Sequence, residues 1–246
     1  MERHDTVWQN PKLVQTFLKG VRGGIPFEAE QLEIMLRILD ARGAPLQHFA
    51  DLGCGSGVLA RTLLARYPGA QATLVDFSEP MLAAAREQLA EHKPAACFVT
   101  ADLATPDWTH ALAGQRPFDA VVSGYAIHHL PDTRKRALYA EIFSLLAPDG
   151  MFINVEHVAS PTSRIEAMFD ALAIDNLYAF HRRQGSTKTR AQVAEEYVHR
   201  PDKAANILAP VGRQCEWLRD CGFADVDCYF KVFELAVFGG RKPSKC

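Results

Sequence analysis

An α/β doubly wound sheet is the fold class that this sequence of 246 residues predicts. Short apolar runs alternate with helical stretches along the chain, the pattern of repeated strand–helix–strand units. One such run, Phe49-Ala50-Asp51-Leu52, passes through Gly53-Cys54-Gly55-Ser56-Gly57 into Val58-Leu59. A buried strand therefore meets a glycine-rich turn and then a helix. Asp76 ends the next apolar run, Ala72-Thr73-Leu74-Val75, where such a unit sets an acid against ribose hydroxyls. The pattern says adenosine cofactor.

The elements follow in order. An N-terminal arm, 1–44, carries the turn Val21-Arg22-Gly23-Gly24-Ile25-Pro26-Phe27 and then a helix over 28–42 with Leu32, Met35, Leu36 and Leu39 on one face. A binding core, 45–157, has strands near 47–52, 71–76, 95–100, 118–123 and 150–156, with helices over 57–66, 79–92 and 132–147. Residues 158–210 stand outside the alternation as a helical insertion, with Ile165, Met168, Phe169, Leu172 and Ala173 on one face and a second helix over Ala191–Val198. In 211–246 a helix ends at a Gly222 cap, and strands Val226–Val232 and Glu234–Phe238 flank a tight turn. The whole reads as a single domain. Ligands of open α/β sheets lie beyond the carboxyl ends of the strands, so the insertion is placed to roof a substrate pocket or to build a homodimer contact.

The glycine loop narrows the cofactor. Its glycines tolerate positive φ and let a ligand approach the backbone. Nicotinamide and flavin sites want G-x-G-x-x-G and a helix N-terminus facing pyrophosphate. Here the spelling is G-x-G-x-G after Asp51, and an acid there repels pyrophosphate but suits a cationic amino-acid group. The string resembles motif I of class I S-adenosylmethionine (SAM) methyltransferases. Val75–Leu82, Thr100–Leu103, Phe118–Leu130 and Leu146–Ile153 follow in that family's order, and the resemblance spans about 45–240. It implies a Rossmann-like sheet of seven strands with an antiparallel last strand, SAM as cofactor and S-adenosylhomocysteine (SAH) as product. It also implies a cofactor site: Asp51, Gly53, Cys54, Gly55 and Gly57 at the methionine end, Asp76 on the ribose, Met81 near the adenine and Asp102 on its amino group. Phe77, Leu103, Ser123 and Gly124 stand alongside.

The arm, the insertion and the ending Tyr229–Leu235 resemble one branch, the carboxy-SAM synthases and tRNA wobble-uridine modifiers. That branch holds an extra carboxylate with an arginine in the last helix and has an asparagine after the fourth strand. Those places hold Trp217 and Gly124 here. Losing such a clamp costs roughly 2–5 kcal/mol at a desolvated site, so the cofactor reads as ordinary SAM.

Methyl transfer is an in-line displacement that needs alignment, a dry cavity, and a base only where the acceptor must lose a proton. His128 and His129 follow the fourth strand, and Glu156 and His157 end the fifth. The expected catalytic set is His129, His128 and Glu156, with His129 beside the cofactor and His128 facing out. The alternative reading makes His-His-Leu a packing and loop-capping element, and Glu156 the partner of an arginine such as Arg164. Phe27, Tyr125, His157, Tyr197 and Trp217 are the expected substrate wall.

Composition bounds the function. A formal charge of −2, with no basic tract beyond Arg134-Lys135-Arg136 and Arg182-Arg183, weighs against nucleic acid as partner. No apolar run is long enough for a membrane span, and the N-terminus has no signal-like apolar stretch, so a cytoplasmic location is expected. The six cysteines make no C-x-x-C pair and read as free thiols, with no metal expected. The sequence thus predicts methyl transfer to an oxygen or nitrogen of a small molecule. Its alternatives are a carboxy-SAM synthase-like or tRNA-modifying enzyme, and a non-catalytic SAM-binding regulator.

Overall fold

The computed structural model describes residues 4–244; Met1–Arg3, Lys245 and Cys246, and with them the start of the arm and one cysteine, lie outside the described residues. Its centre is a seven-stranded sheet built from β1 (His48–Leu52), β2 (Gln71–Asp76), β3 (Ala96–Thr100), β4 (Phe118–Gly124), β5 (Leu146–His157), β6 (Ala224–Val232) and β7 (Leu235–Arg241). The spatial order is β3-β2-β1-β4-β5-β7-β6, with β1 to β5 parallel and β7 antiparallel to both of its neighbours. Every residue of β1 is buried, because helices cover both faces of a parallel sheet.

One face packs Met35 and Leu39 of α2 (Glu28–Asp40), Leu63 of α3 (Val58–Arg66) and Leu82 of α4 (Glu79–Gln88) against Phe49 and Leu74. On the other face, Tyr139 of α5 (Asp132–Leu145) and Leu218 of α8 (Val211–Asp220) pack against Phe118 and Phe152. The five expected parallel strands are all present. β5 starts earlier than expected, at Leu146, which pairs with Phe118 through a register shift. α5 stops at Leu145 because Pro148 disfavours helical backbone just ahead of it. The expected cap is present, with Gly222 at φ +98° beyond α8.

Trp217 corrects an expectation. The sequence puts it in the substrate wall, but its side chain is buried in the core with Leu218 and Phe223 and lines neither major cavity.

The insertion forms α6 (Ser163–Arg183) and α7 (Arg190–Val198), whose Phe169, Leu177, Val193 and Tyr197 make a small core of their own with Leu235. α1 (Pro11–Thr16) belongs to the arm, and the arm's glycine turn docks on α6. A Cβ on Gly23 would lie 2.3 Å from the Phe180 ring, so only glycine allows that approach. No described helix is long and apolar enough to cross a membrane.

Candidate active site

Two cavities open at the carboxyl ends of the strands and meet. The first, of about 920 Å³, is walled by the glycine loop, Asp51, Asp76, Phe77, Met81, Asp102, Leu103 and Gly124. The glycines hold φ of +63° (Gly53), +52° (Gly55) and +79° (Gly57), the region that excludes most side chains. A Cβ at Gly53 would sit 2.2 Å from that of Ala126, so this glycine lets the β4 loop close on the turn. Gly55 is the one that leaves room for a ligand, since a Cβ there meets only Met81 Sδ at 3.9 Å.

The acids are held by backbone. Asp51 Oδ2 accepts from Ala60 N at 3.1 Å, and Asp102 Oδ1 accepts from Ala104 N at 2.9 Å. Asp76 Oδ1 accepts from Ser78 N and Oδ2 from Gly55 N, each at 2.8 Å. Burial raises the Asp76 carboxyl while these N–H donors oppose the rise. Burial and the nearby Asp76 and Asp51 push the Cys54 thiol well up, so it stays protonated. Two expected members stand outside the lining. Gly57 caps α3, and Ser123 is buried behind the cavity with its hydroxyl donating to Leu52 O at 2.8 Å.

The second cavity, of about 740 Å³, lies under the insertion. Its walls are largely apolar and aromatic, with Phe169, Leu177 and Tyr197 above, Ile25 and Pro26 from the arm, and Leu235 below. His128, His157, Arg200, Asp202 and Asn206 supply its polar groups. Trp8, Phe17, Tyr125 and His129 line both cavities and form the neck between them. Tyr125 has φ +54°, rare for a bulky residue, and is held by Tyr125 N donating to Val155 O at 2.9 Å and its hydroxyl donating to Gln31 Oε1 at 2.6 Å. Phe27 is a second correction: it is 39% exposed, lies near Phe230 and lines neither cavity.

The adjacent histidines sit in a single 3-10 turn, Ile127–His129, which turns successive side chains about a third of a circle apart. Both point inward, against the expectation that His128 faces out. His128 Nδ1 lies 2.6 Å from Glu156 Oε1. Oε1 also accepts from His157 N at 2.8 Å, and Oε2 accepts from His128 N at 3.1 Å and Asn154 Nδ2 at 3.3 Å. With four donors converging on it, Glu156 acts as a carboxylate acceptor, so His128 carries its proton on Nδ1 and keeps the Nε2 lone pair. Glu156 is thus the partner of His128, and the alternative pairing with Arg164 is not made. Burial lifts the Glu156 carboxyl to about 6 and draws His128 well below its usual range, so at neutral pH the acid is ionised and the imidazole neutral.

His129 is occupied on both sides. Trp8 Nε1 donates to its Nε2 at 3.2 Å, and its Nδ1 donates to Ala205 O at 3.1 Å. Burial lowers it to about 3, so it stays neutral. Lys135 is fully buried and ties the insertion's exit to this loop: its Nζ donates to Ile207 O at 2.5 Å, while Ile207 N donates to His128 O at 2.9 Å. Trp8, Lys135 and Arg200 were not singled out from the sequence. Their only signals were a tryptophan in an otherwise irregular arm and basic residues that looked like solvated charge.

Residues 49–150 match a family model described as a methyltransferase domain. These matched residues are a SAM-dependent methyltransferase domain of class I fold. The chain is 26% identical over 229 residues to a carboxy-S-adenosyl-L-methionine synthase of Chromohalobacter salexigens, covering 92% of this chain and 79% of that protein. It is 30% identical over 184 residues to a trans-aconitate 2-methyltransferase of Variovorax paradoxus, covering 75% of this chain and 60% of that one. PigF, solved with SAH, shares the fold with a TM-score of 0.62 at 19% identity, over 98% of this chain and 62% of PigF. The chain spans about six-tenths of the length of such solved structures.

The first cavity fits SAM. A glycine cradle leaves backbone accessible, and Asp51, Asp76 and Asp102 are acceptors matched to an ammonium, a ribose diol and an adenine amine. Among the described residues no cluster of histidine, cysteine and acid is arranged for a metal.

Proposed function

We propose that this domain methylates a hydroxyl oxygen of a small, flat, largely apolar molecule held in the second cavity, with His128 as general base and Glu156 as its positioning residue. The observation that carries this reading is the pair of cavities joined at the Trp8–Tyr125–His129 neck, with the His128–Glu156 pair in the wall of the second. Bound SAM supplies an electrophilic methyl group on a sulfonium. His128 accepts the hydroxyl proton at Nε2, and Glu156 fixes the ring's tautomer and offsets the charge it gains. His129 holds Trp8 in the neck rather than moving a proton, because its acceptor nitrogen is already engaged. The apolar walls exclude water from a reaction in which charge is neutralised.

Asp51, Asp76 and Asp102 are read as the cofactor's acceptors, and Tyr125, His157 and Tyr197 as substrate contacts. The insertion is read as a roof, because Phe169, Leu177 and Tyr197 wall the cavity it covers. The enzyme is read as cytoplasmic, and small molecules rather than nucleic acid as its substrates accord with the formal charge of −2. The carboxy-SAM reading draws on the relative from Chromohalobacter salexigens. Among the described residues, however, no lysine or arginine lines the first cavity, and Trp217 points into the core.

The test is to purify the protein without added cofactor, denature it and weigh the released nucleoside, then titrate SAM into the emptied protein. SAM or SAH, or binding of added SAM, supports the proposal. A nucleoside heavier by one carboxylate replaces it with the synthase reading. No release and no binding refutes both.

A further inference from the structure

Arg200 moves no proton in the chemistry above, though its charge helps to keep His128 neutral, and it occupies the wall of the second cavity. It sits at the end of the insertion, just before the turn Pro201–Ala205, with 18% of its side chain exposed. Its guanidinium carbon lies 4.7 Å from the centre of the Tyr197 ring. That ring is itself fixed: the Tyr197 hydroxyl donates to Asp170 Oδ1 at 3.1 Å, and Lys203, 5.1 Å from the ring centre, donates to Asp170 Oδ2 at 3.2 Å. The aromatic platform therefore holds the cation in place without consuming any N–H.

Its donors are left over. Asp202 Oδ2 lies 3.3 Å from Nε, close enough for an ion pair, but Nε is buried and makes no hydrogen bond. An arginine offers five N–H donors in a rigid fork, and a largely buried polar group without partners calls for one. Among the described residues Asp202 is the only carboxylate in the wall of this cavity; Glu156 and Glu234 stand behind His128 and His157, each pair 2.6–2.7 Å apart. Apart from His128, His157 and Asn206, the remaining walls are aromatic and aliphatic. The cavity thus offers flat apolar surface, the His128 lone pair and one fork of cationic donors.

We propose that Arg200 binds a carboxylate on the acceptor, so that the substrate class is flat hydroxy acids, with the acid on Arg200 and the hydroxyl toward His128. A planar fork on an aromatic face is the arrangement that reads a carboxylate in two parallel hydrogen bonds. This rests on the second cavity being the acceptor site.

The probes are 3- and 4-hydroxybenzoate and their methyl esters, titrated calorimetrically into the SAH-saturated protein. At least one acid should bind tenfold or more tighter than its ester. R200Q should abolish that preference while leaving ester and SAH affinity within twofold, and R200K should restore part of it. Because R200Q also strips Asp202 of its partner, D202N is the second variant: with the competing carboxylate gone, the acid should tighten and the ester should not. Equal affinity of acid and ester, a preference that survives R200Q, or no binding of either pair would overturn the assignment. The acid–ester titration is repeated without SAH. A protein that does not bind SAH but keeps an Arg200-dependent acid preference would sink the methyltransferase reading and leave the anion site standing.

Discussion

Glutamine in place of Glu156 isolates what the carboxylate does for His128. Four N–H groups aim at it, from His128 Nδ1, His157 N, His128 N and Asn154 Nδ2, at 2.6, 2.8, 3.1 and 3.3 Å. A carboxylate has about four acceptor positions, so the ionised form is saturated. Glutamine keeps the shape, loses the charge and turns one end into a donor. With its oxygen toward His128 Nδ1, its NH₂ group faces His128 N and Asn154. Asn154 can answer by flipping, since its Oδ1 has no partner, but the His128 backbone N–H cannot. One stranded buried donor costs about 1–3 kcal/mol of stability.

The effect on rate is larger. Charges about 4 Å apart at an effective dielectric near 20 interact by roughly 4 kcal/mol, and most of that is lost as His128 gains its proton. E156Q should therefore turn over about 10²–10³-fold more slowly. SAH affinity should not change, because Glu156 does not line the first cavity. The assays are methyl transfer from radiolabelled SAM to an acceptor found by screening, SAH calorimetry, and imidazole ¹⁵N spectra of the wild type. Turnover within threefold of wild type, or a His128 that carries its proton on Nε2 at pH 7, would refute the reasoning.

Two further outcomes follow from the same geometry. Asp76 spends two acceptor positions on Ser78 N and Gly55 N, which leaves about two for a ribose diol. D76N should weaken SAH binding by about 10–100-fold, and calorimetry showing less than a threefold loss would remove Asp76 from the ribose. Burial raises Glu156 from 4.5 to about 6, so the folded state binds this proton more tightly than the unfolded chain. Its stabilising contribution is full below pH 4.5 and lost as pH rises through 6, about 2 kcal/mol in all. Urea midpoints of wild type and E156Q should diverge over that range, and parallel curves would contradict a Glu156 proton held more tightly by burial.

The cofactor end was readable in the linear sequence because its requirements are local. Positive φ at Gly53, Gly55 and Gly57 and an acid at the end of β2 are properties of a few consecutive residues. The sheet was readable for the same reason, since apolar runs and helical faces repeat over short windows. The second cavity had no such signature. Trp8, Tyr125, His157, Tyr197 and Arg200 come from the arm, the β4 loop, the end of β5 and the insertion, and no periodicity links them. Counting back from the Gly222 cap located Trp217 along α8 but not the direction of its side chain, and the helix's core face claimed the ring. Phe27, with φ +56° at the start of α2, lies 39% exposed beside Phe230.

Local sequence thus established the α/β sheet, the glycine turn and the acids that suit SAM. The roles of the two neighbouring imidazoles were settled by packing. A histidine's free nitrogen is defined by what holds the other one. For His128 that partner is Glu156, 28 positions away, and for His129 the acceptor nitrogen is taken by Trp8, 121 positions away. Contacts that distant exist only once the sheet, the arm and the insertion have closed on one another.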